Sequence, residues 1–448
     1  MRDGKFDLTQ GGIIGKLLLV SLPIMGTQLL QMCYNLTDMF FLGLVGSHAV
    51  AASGSAGIYM WLANGMMLIG RMGAQIGVAQ ALGGGHENRA REYAQNAQML
   101  GILIGLLYLF AAFFLNERMA AFFHMTDKTV EAATARYIFL TAPGVFSLFV
   151  SASAAGTFNG SGNSRIPFLL NLFGFLMNVV LDPFFIFGLG WGLEGAAVAT
   201  TISQATTCVL SLVALNRRGI SPFPFFRIFF RPSLPLIERI LRWSAPIAAE
   251  SMLFTILTMP IARKVASFGP DATAVYRVGS QIESLGWLIG FGFSAALTSF
   301  VGQNFGAEKW DRIHRGFRSA LFAVCGWGLF VTVLFLTSGR FLAGIFLHEP
   351  ELIEMGNDFL RIFAFCQLIG CLEFSSSGAL RGIGRTLPPS VVSVITNAFR
   401  VPLVYALTTS TLGLNGIWIG VTAGAVLRGV LIFICFLWQI RKMPKPAY

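Results

Sequence analysis

Apolar residues fill long stretches of this chain, and charged and turn-forming residues gather between them. A helix that spans a membrane needs roughly 20 mostly apolar residues, because the hydrocarbon core is about 30 Å thick and each residue adds about 1.5 Å. Twelve stretches qualify, near 13–43, 48–80, 93–115, 129–155, 166–188, 194–215, 237–262, 273–302, 316–337, 352–376, 387–410 and 414–440. The longest break, over 216–236, is rich in Arg and Pro. The pattern predicts an all-α polytopic membrane protein with 12 transmembrane helices. It divides into an N-lobe over 1–215 (helices one to six), a cytoplasmic linker over 216–236 and a C-lobe over 237–448 (helices seven to twelve).

Composition sharpens this. Of the 448 residues 55% are hydrophobic and 12% charged, against about 25% charged in soluble domains. The 6 cysteines lie inside apolar stretches with no CxxC pair, so neither a disulfide framework nor a metal site is indicated. A net charge of +11 would raise nucleic acid as a partner for a soluble protein. Here the basic residues sit between spans, where they set topology. Most of the 32 Lys and Arg fall on the side of the N-terminus, which predicts both termini in the cytoplasm and excludes a nucleic-acid partner. Asp3 and Asp7 interrupt the basic start and the apolar run from Ile13 continues past Phe41, so the start does not read as a cleaved signal.

The chain also repeats itself. Ser21-Leu-Pro23-Ile24 returns as Ser244-Ala-Pro246-Ile247, and Gln80-Ala-Leu-Gly83 as Gln303-Asn-Phe-Gly306. Gly156, Gly160, Gly162 and Pro167 return as Gly378, Gly382, Gly384 and Pro389, and Gly192-Leu-Glu-Gly195 as Gly413-Leu-Asn-Gly416. The offset stays near about 222 residues in the same order throughout. With an even number of spans per copy, both copies enter from the same side and form two parallel six-helix repeats, which is transporter architecture.

Ionisable residues inside spans cost roughly 2.5–3.5 kcal/mol on insertion scales, so each needs a reason. In the first span Gln31, Tyr34, Asn35 and Asp38 follow helical spacing on one stripe. In the fifth, Asn171, Asn178 and Asp182 share a face, and the sixth offers Thr200, Thr201, Ser203 and Gln204. Two carboxylates with amide and hydroxyl oxygens form a hard ligand set that suits a proton or Na⁺, at Asp38, Asn178, Asp182 and Thr200. By the repeat offset, Asp38 corresponds to Ile261, Asp182 to about Val404 and Asn178 to Arg400, so the second half lacks the acidic pair. That asymmetry favours function over folding for the first-half acids. The second half carries Glu250, Glu283, Glu373, Arg400 and Arg428 inside its spans. These either pair internally or, at Glu250, Glu283 and Arg400, form a charged site able to attract a cationic substrate. Pro23 removes a backbone hydrogen bond in the first span and is a candidate hinge. No Walker motif, nucleophile elbow or zinc signature is present, so neither an enzyme nor a cofactor is expected.

Leu22-Pro23-Ile24-Met25 with Tyr34-Asn-Leu-Thr-Asp38-Met-Phe-Phe-Leu-Gly43 resembles the first helix of the multidrug and toxic compound extrusion (MATE) family, prokaryotic type. Asn178-Val-Val-Leu-Asp182-Pro183, Gly160-Ser-Gly162, Gly192-Leu-Glu-Gly195 and Phe300-Val-Gly-Gln303-Asn-Phe-Gly306 are similar to that family as well, so the resemblance covers essentially the whole chain. It implies a V-shaped bundle and secondary active multidrug efflux across the bacterial cytoplasmic membrane. Organic, often cationic, amphipathic compounds would exchange for H⁺ or Na⁺ by alternating access of the two lobes, with the protein acting as a monomer. Asp38 and Asp182 would couple the cation, with Asn178 and Thr200 as supporting oxygen ligands and Tyr34 and Asn159 in the same polar network. The alternative is a flippase of the same superfamily moving lipid-linked precursors. A phosphate-bearing cargo wants a basic cavity, and only Arg71, Arg400 and Arg428 lie within spans.

Overall fold

A computed structural model describes residues 6–125, 127–227, 230–409 and 411–442. Among the described residues it contains twelve α-helices: α1 (Ile13–Val45), α2 (Ser47–Gly83), α3 (Glu87–Ala121), α4 (Lys128–Gly160), α5 (Arg165–Pro183), α6 (Gly192–Asn216), α7 (Leu234–Ala266), α8 (Pro270–Gly306), α9 (Trp310–Gly344), α10 (Pro350–Gly382), α11 (Leu387–Thr408) and α12 (Gly413–Ile440). Eleven of the twelve are long and apolar enough to cross a membrane by length and composition, with α5 counted together with the turn that follows it. The other, α2, is 37 residues long, and its apolar character is diluted by glycine, serine and the amides Gln75 and Gln80. The chain is an all-α polytopic membrane protein.

Helix starts use ordinary local chemistry. Asp127 caps α4 by accepting the Thr129 N–H at 2.8 Å, which satisfies one orphan donor of the first turn. The same bond and a second from the Thr129 hydroxyl hold its carboxyl below the usual carboxylate range. Proline occupies the first turn of α8, α10 and α11, where no N–H is needed. Several helices outrun their apolar windows. α3 begins at Glu87 and α9 at Trp310, with charged first turns that hydration keeps outside the hydrocarbon core. The fifth span, expected over 166–188, is α5 followed by a π-helical turn, Phe184–Gly188. Pro183 has no N–H to donate, and the ladder resumes with a longer step from Leu189 N–H to the Phe184 carbonyl, 3.0 Å.

The chain forms two compact units. One holds Leu22–Ala248, the other Leu8–Ser21 together with the chain from Ala249 onward. The division therefore falls inside α1 and α7, two residues before Pro23 in the first case and just after Pro246 in the second. α1 stays helical through Pro23, whose carbonyl accepts the Thr27 hydroxyl at 3.0 Å.

Each unit packs its helices in the same pattern. In the first, α2 lies on α3 and α4, α4 on α6, and α5 on α6. In the second, α8 lies on α9 and α10, α10 on α12, and α11 on α12. The repeat reaches the backbone: Gly162 and Gly384 end α4 and α10 at φ 89° and 80°, and Gly192 and Gly413 open α6 and α12 at φ 54° and 51°. These are left-handed conformations that side chains with a Cβ avoid. The first unit's core includes Ile76, Tyr93, Phe158, Leu215, Ile240 and Trp243. The second's is built on Phe359, Phe363 and Trp418, with the Phe359 and Trp418 rings 4.9 Å apart, edge to face.

Candidate functional site

The stripe on α1 and the polar face of α5 meet in the first unit. Asp182 and Asn178, one turn apart on α5, are both fully buried, and the Asn178 amide donates to Asp182 Oδ1 at 3.0 Å. Asp38 on α1 brings its carboxyl within hydrogen-bonding reach of Asp182. Thr200 on α6 faces the Tyr34 hydroxyl on α1. Asp182 sits immediately before the proline and the π-helical turn, where local backbone bonding changes.

What distinguishes the cluster is how little of it is satisfied. Tyr34 Oη, Asp38 Oδ1, Asn178 Oδ1, Asp182 Oδ2 and Thr200 Oγ1 are all buried without a hydrogen-bond partner. Buried polar atoms are ordinarily bonded, so five orphans from three helices in one place mark a site built for something else. Two ionised carboxylates side by side repel strongly. A shared proton or a small hard cation relieves both problems at once, and the donor set fits either, with carboxylate, amide and hydroxyl oxygens.

The structure brings Asp38, Asp182, Asn178, Thr200 and Tyr34 together and adds Tyr137 of α4, which lies within electrostatic reach of both aspartates. Nothing in the spacing of α4 singles that tyrosine out. Asn159 is not in the cluster. It sits at the far end of α4, about 33 Å along the helix from Tyr137 at 1.5 Å per residue, and its Oδ1 is buried without a partner. Gln31 and Asn35 are exposed, the Gln31 amide donating to Asn35 Oδ1 at 3.4 Å.

In the second unit the equivalent positions are apolar: Ile261 and Val404 belong to its core. Its buried charges form pairs instead. Glu373 of α10 bridges Arg428 of α12 at 2.9 Å, and Arg428 also donates to Asn397 Oδ1 at 3.1 Å. Glu250 of α7 pairs with Arg381 at 3.6 Å and accepts the Ser390 hydroxyl at 2.7 Å. Of the residues expected to form a charged site, Glu250 is instead paired with Arg381, while Glu283 and Arg400 have no ion-pair partner among the described residues.

A duplicated six-helix membrane unit, with a buried and unsatisfied carboxylate pair in one copy only, has the build of a membrane transporter. The MatE family model matches residues 23–184 and 246–406, one match in each repeat. The chain is 28% identical over 438 residues to the probable multidrug resistance protein NorM of Thermotoga maritima, covering 96% of this chain and 94% of that protein. It is 22% identical to the multidrug export protein MepA of Staphylococcus aureus, covering 94% and 93%. The fold matches an outward-facing multidrug resistance MATE family transporter with a TM-score of 0.91 at 21% identity over the full length of both chains. It also matches a MATE crystal structure in the bent conformation, with a TM-score of 0.90 at 22% identity and 99% coverage of each. The chain belongs to the MatE family and is a MATE transporter.

Proposed function

We propose that this protein is a multidrug efflux antiporter of the bacterial cytoplasmic membrane, multi-pass with both termini cytoplasmic. It exports amphipathic organic compounds, cationic ones among them, in exchange for H⁺ or Na⁺. The observation that carries the reading is the buried Asp38–Asp182 pair with its ring of unpartnered oxygens, present in one repeat and replaced by Ile261 and Val404 in the other. The similarity to proteins named for multidrug resistance and export supports the cargo.

Occupancy of this site by the driving cation draws α1 and α5 together, because the ion bridges carboxylates that otherwise repel. The energy available for coupling is the ion's difference in affinity between the two conformations of the cycle, since equal binding to both would shift nothing. Asn178 positions the Asp182 carboxylate through its amide, leaving the second oxygen for the ion. Tyr34 and Thr200 offer neutral oxygens to complete the shell.

The test is ethidium efflux from proteoliposomes under imposed pH and Na⁺ gradients, with Asp38→Asn as control. Efflux driven by one gradient identifies the ion, and Asp38→Asn abolishes it while the protein remains monodisperse and folded. Undiminished driven efflux by Asp38→Asn would remove the aspartate pair from the mechanism.

A further inference from the structure

We infer that a groove between the end of α3 and the start of α4 binds a membrane lipid, phosphatidylethanolamine, from the leaflet on the side of the α3–α4 turn. The inference goes beyond the exporter reading and does not depend on it.

α3 and α4 pack along one another, yet where one ends and the other begins they border a cavity of about 440 Å³. Small side chains leave that space: Ala120 of α3 and Ala132 and Ala135 of α4 line it. The other α4 residues on it are Lys128, Glu131, Arg136 and Phe139. With the two alanines they recur at helical spacing on one face, so the cavity is a groove running down α4. From the turn inward it meets an acid, Glu131, then a cation, Arg136, about 7.5 Å deeper, then an aromatic ring, Phe139, about 4.5 Å deeper again. α4 has 33 residues and is about 50 Å long, more than the about 40–45 Å of a bilayer with its head groups. Its first turns therefore stand among the head groups. Phe139 is 44% exposed and is held against Phe113, the ring centres 4.8 Å apart.

The charges follow the order of a lipid that carries an ammonium beyond its phosphate. Lys128 binds Glu131 through Oε2 at 2.8 Å, which leaves Oε1 open. Glu194 of α6 holds Arg136 through Nε at 2.8 Å, which leaves the terminal nitrogens for a phosphate oxygen. Glu117 of α3, also on the groove, is exposed and paired with no cation among the described residues. The acids Glu117, Glu131 and Glu194 thus outnumber Lys128 and Arg136, and an ammonium between Glu117 and Glu131 makes up the difference. In phosphatidylethanolamine the ammonium lies outermost, the phosphate beneath it and the acyl chains deepest, which places them at the two acids, Arg136 and Phe139 in turn. Its N–H groups give charge-assisted bonds to the carboxylates. The pairs already present are solvent-exposed and worth little, so sharing them costs little. An anionic lipid without an ammonium sets its charge against three carboxylates, and a head group without chains gains nothing at Phe139.

The experiment is native mass spectrometry of the purified full-length protein in detergent, titrated with dioleoyl phosphatidylethanolamine, dioleoyl phosphatidylglycerol and chain-free glycerophosphoethanolamine. The wild-type protein binds phosphatidylethanolamine about tenfold tighter than phosphatidylglycerol, and binds the chain-free head group more weakly than either lipid. Glu117→Gln with Glu131→Gln brings the ratio of the two lipids close to one, and Arg136→Gln weakens both. Ala132→Phe fills the groove from an exposed position, so it removes the bound lipid without touching the core and serves if a charge variant does not fold. Equal affinity for the two lipids, or a preference unchanged in the acid variants and in Ala132→Phe, overturns the proposal. Binding of the chain-free head group as tightly as the lipid overturns the assignment to a lipid.

Discussion

Arg428 and Arg400 are buried on neighbouring helices of one bundle and differ in what they touch. Arg428 is bound by Glu373 and Asn397 and acts as structure. Removing one partner of such a pair leaves an uncompensated charge in a dry interior, whereas removing both leaves none. Arg428→Met is expected to destabilise the protein by about 3–5 kcal/mol, read as a lower midpoint of thermal unfolding in detergent. Adding Glu373→Leu to that variant recovers most of the loss, because the orphaned carboxylate goes too. A double variant no better than the single one would show that the pair matters through shape and not charge. In the first unit the same logic points the other way: Asp38 and Asp182 are left incomplete by their neighbours, which is why the proposed function places the coupling ion between them.

Between helices, glycines allow close approaches of backbone to backbone, and these recur in both repeats. A Cβ on Gly156 of α4 would collide with the Arg71 carbonyl on α2, and one on Gly378 of α10 with the Ser294 carbonyl on α8. One turn on, a Cβ on Gly160 would lie 2.6 Å from the Gln75 carbonyl and one on Gly382 would lie 2.9 Å from the Thr298 carbonyl. Backbone cannot rotate out of the way as a side chain does. Gly156→Val and Gly378→Val should each cost more than the about 1–3 kcal/mol of ordinary overpacking and yield little monodisperse protein by size-exclusion chromatography. Wild-type elution and melting in either variant would mean the helices separate more easily than this packing implies. These glycines were legible as repeat landmarks before their contacts were known, and so were the helices, because both follow from apolar length and recurrence. Asp38 and Asp182 were legible because a charge in an apolar run needs a reason. Tyr137 was not, since it is one of several hydroxyl residues along its span, Thr134, Thr141 and Ser147 among them, and nothing sets it apart from the rest. Asn159 entered the expected network through its motif, but helix rise carries it to the wrong depth. The ends of α3 and α9 escaped for a related reason: apolar counting stops at the first charge, while backbone hydrogen bonding continues into the hydrated turns.

At the scale of the whole chain, the compact units do not coincide with the sequence repeats, and the segments that lead into α1 and α7 account for the mismatch. Leu8 is fully buried in the second unit; its N–H donates to Gln303 Oε1 at 3.0 Å and its carbonyl accepts from Asn304 at 3.2 Å and Arg312 at 3.2 Å. Arg312 and Lys309 also donate to the carbonyls of Gln10 and Thr9, at 3.0 and 2.9 Å. The segment before α7 does the same for the first unit. Gln95 donates to the Arg227 carbonyl at 2.9 Å, and Asn96 accepts the Ser233 N–H at 3.0 Å. Phe223, Phe226, Ile240 and Trp243 then complete that unit's core. A fragment cut at the repeat boundary, residues 1–216, therefore loses part of its own core, while a fragment over 22–248 keeps it. The 22–248 fragment is expected to unfold cooperatively in detergent, and the 1–216 fragment to lack a cooperative transition and to elute as aggregate. Equal behaviour of the two would mean that helices α2 to α6 suffice for the first unit. If the fragments differ as expected, each unit is closed by chain that precedes a repeat, so the unit holding the Asp38–Asp182 pair and the unit holding Arg400 are each incomplete without a segment the duplication alone would assign elsewhere.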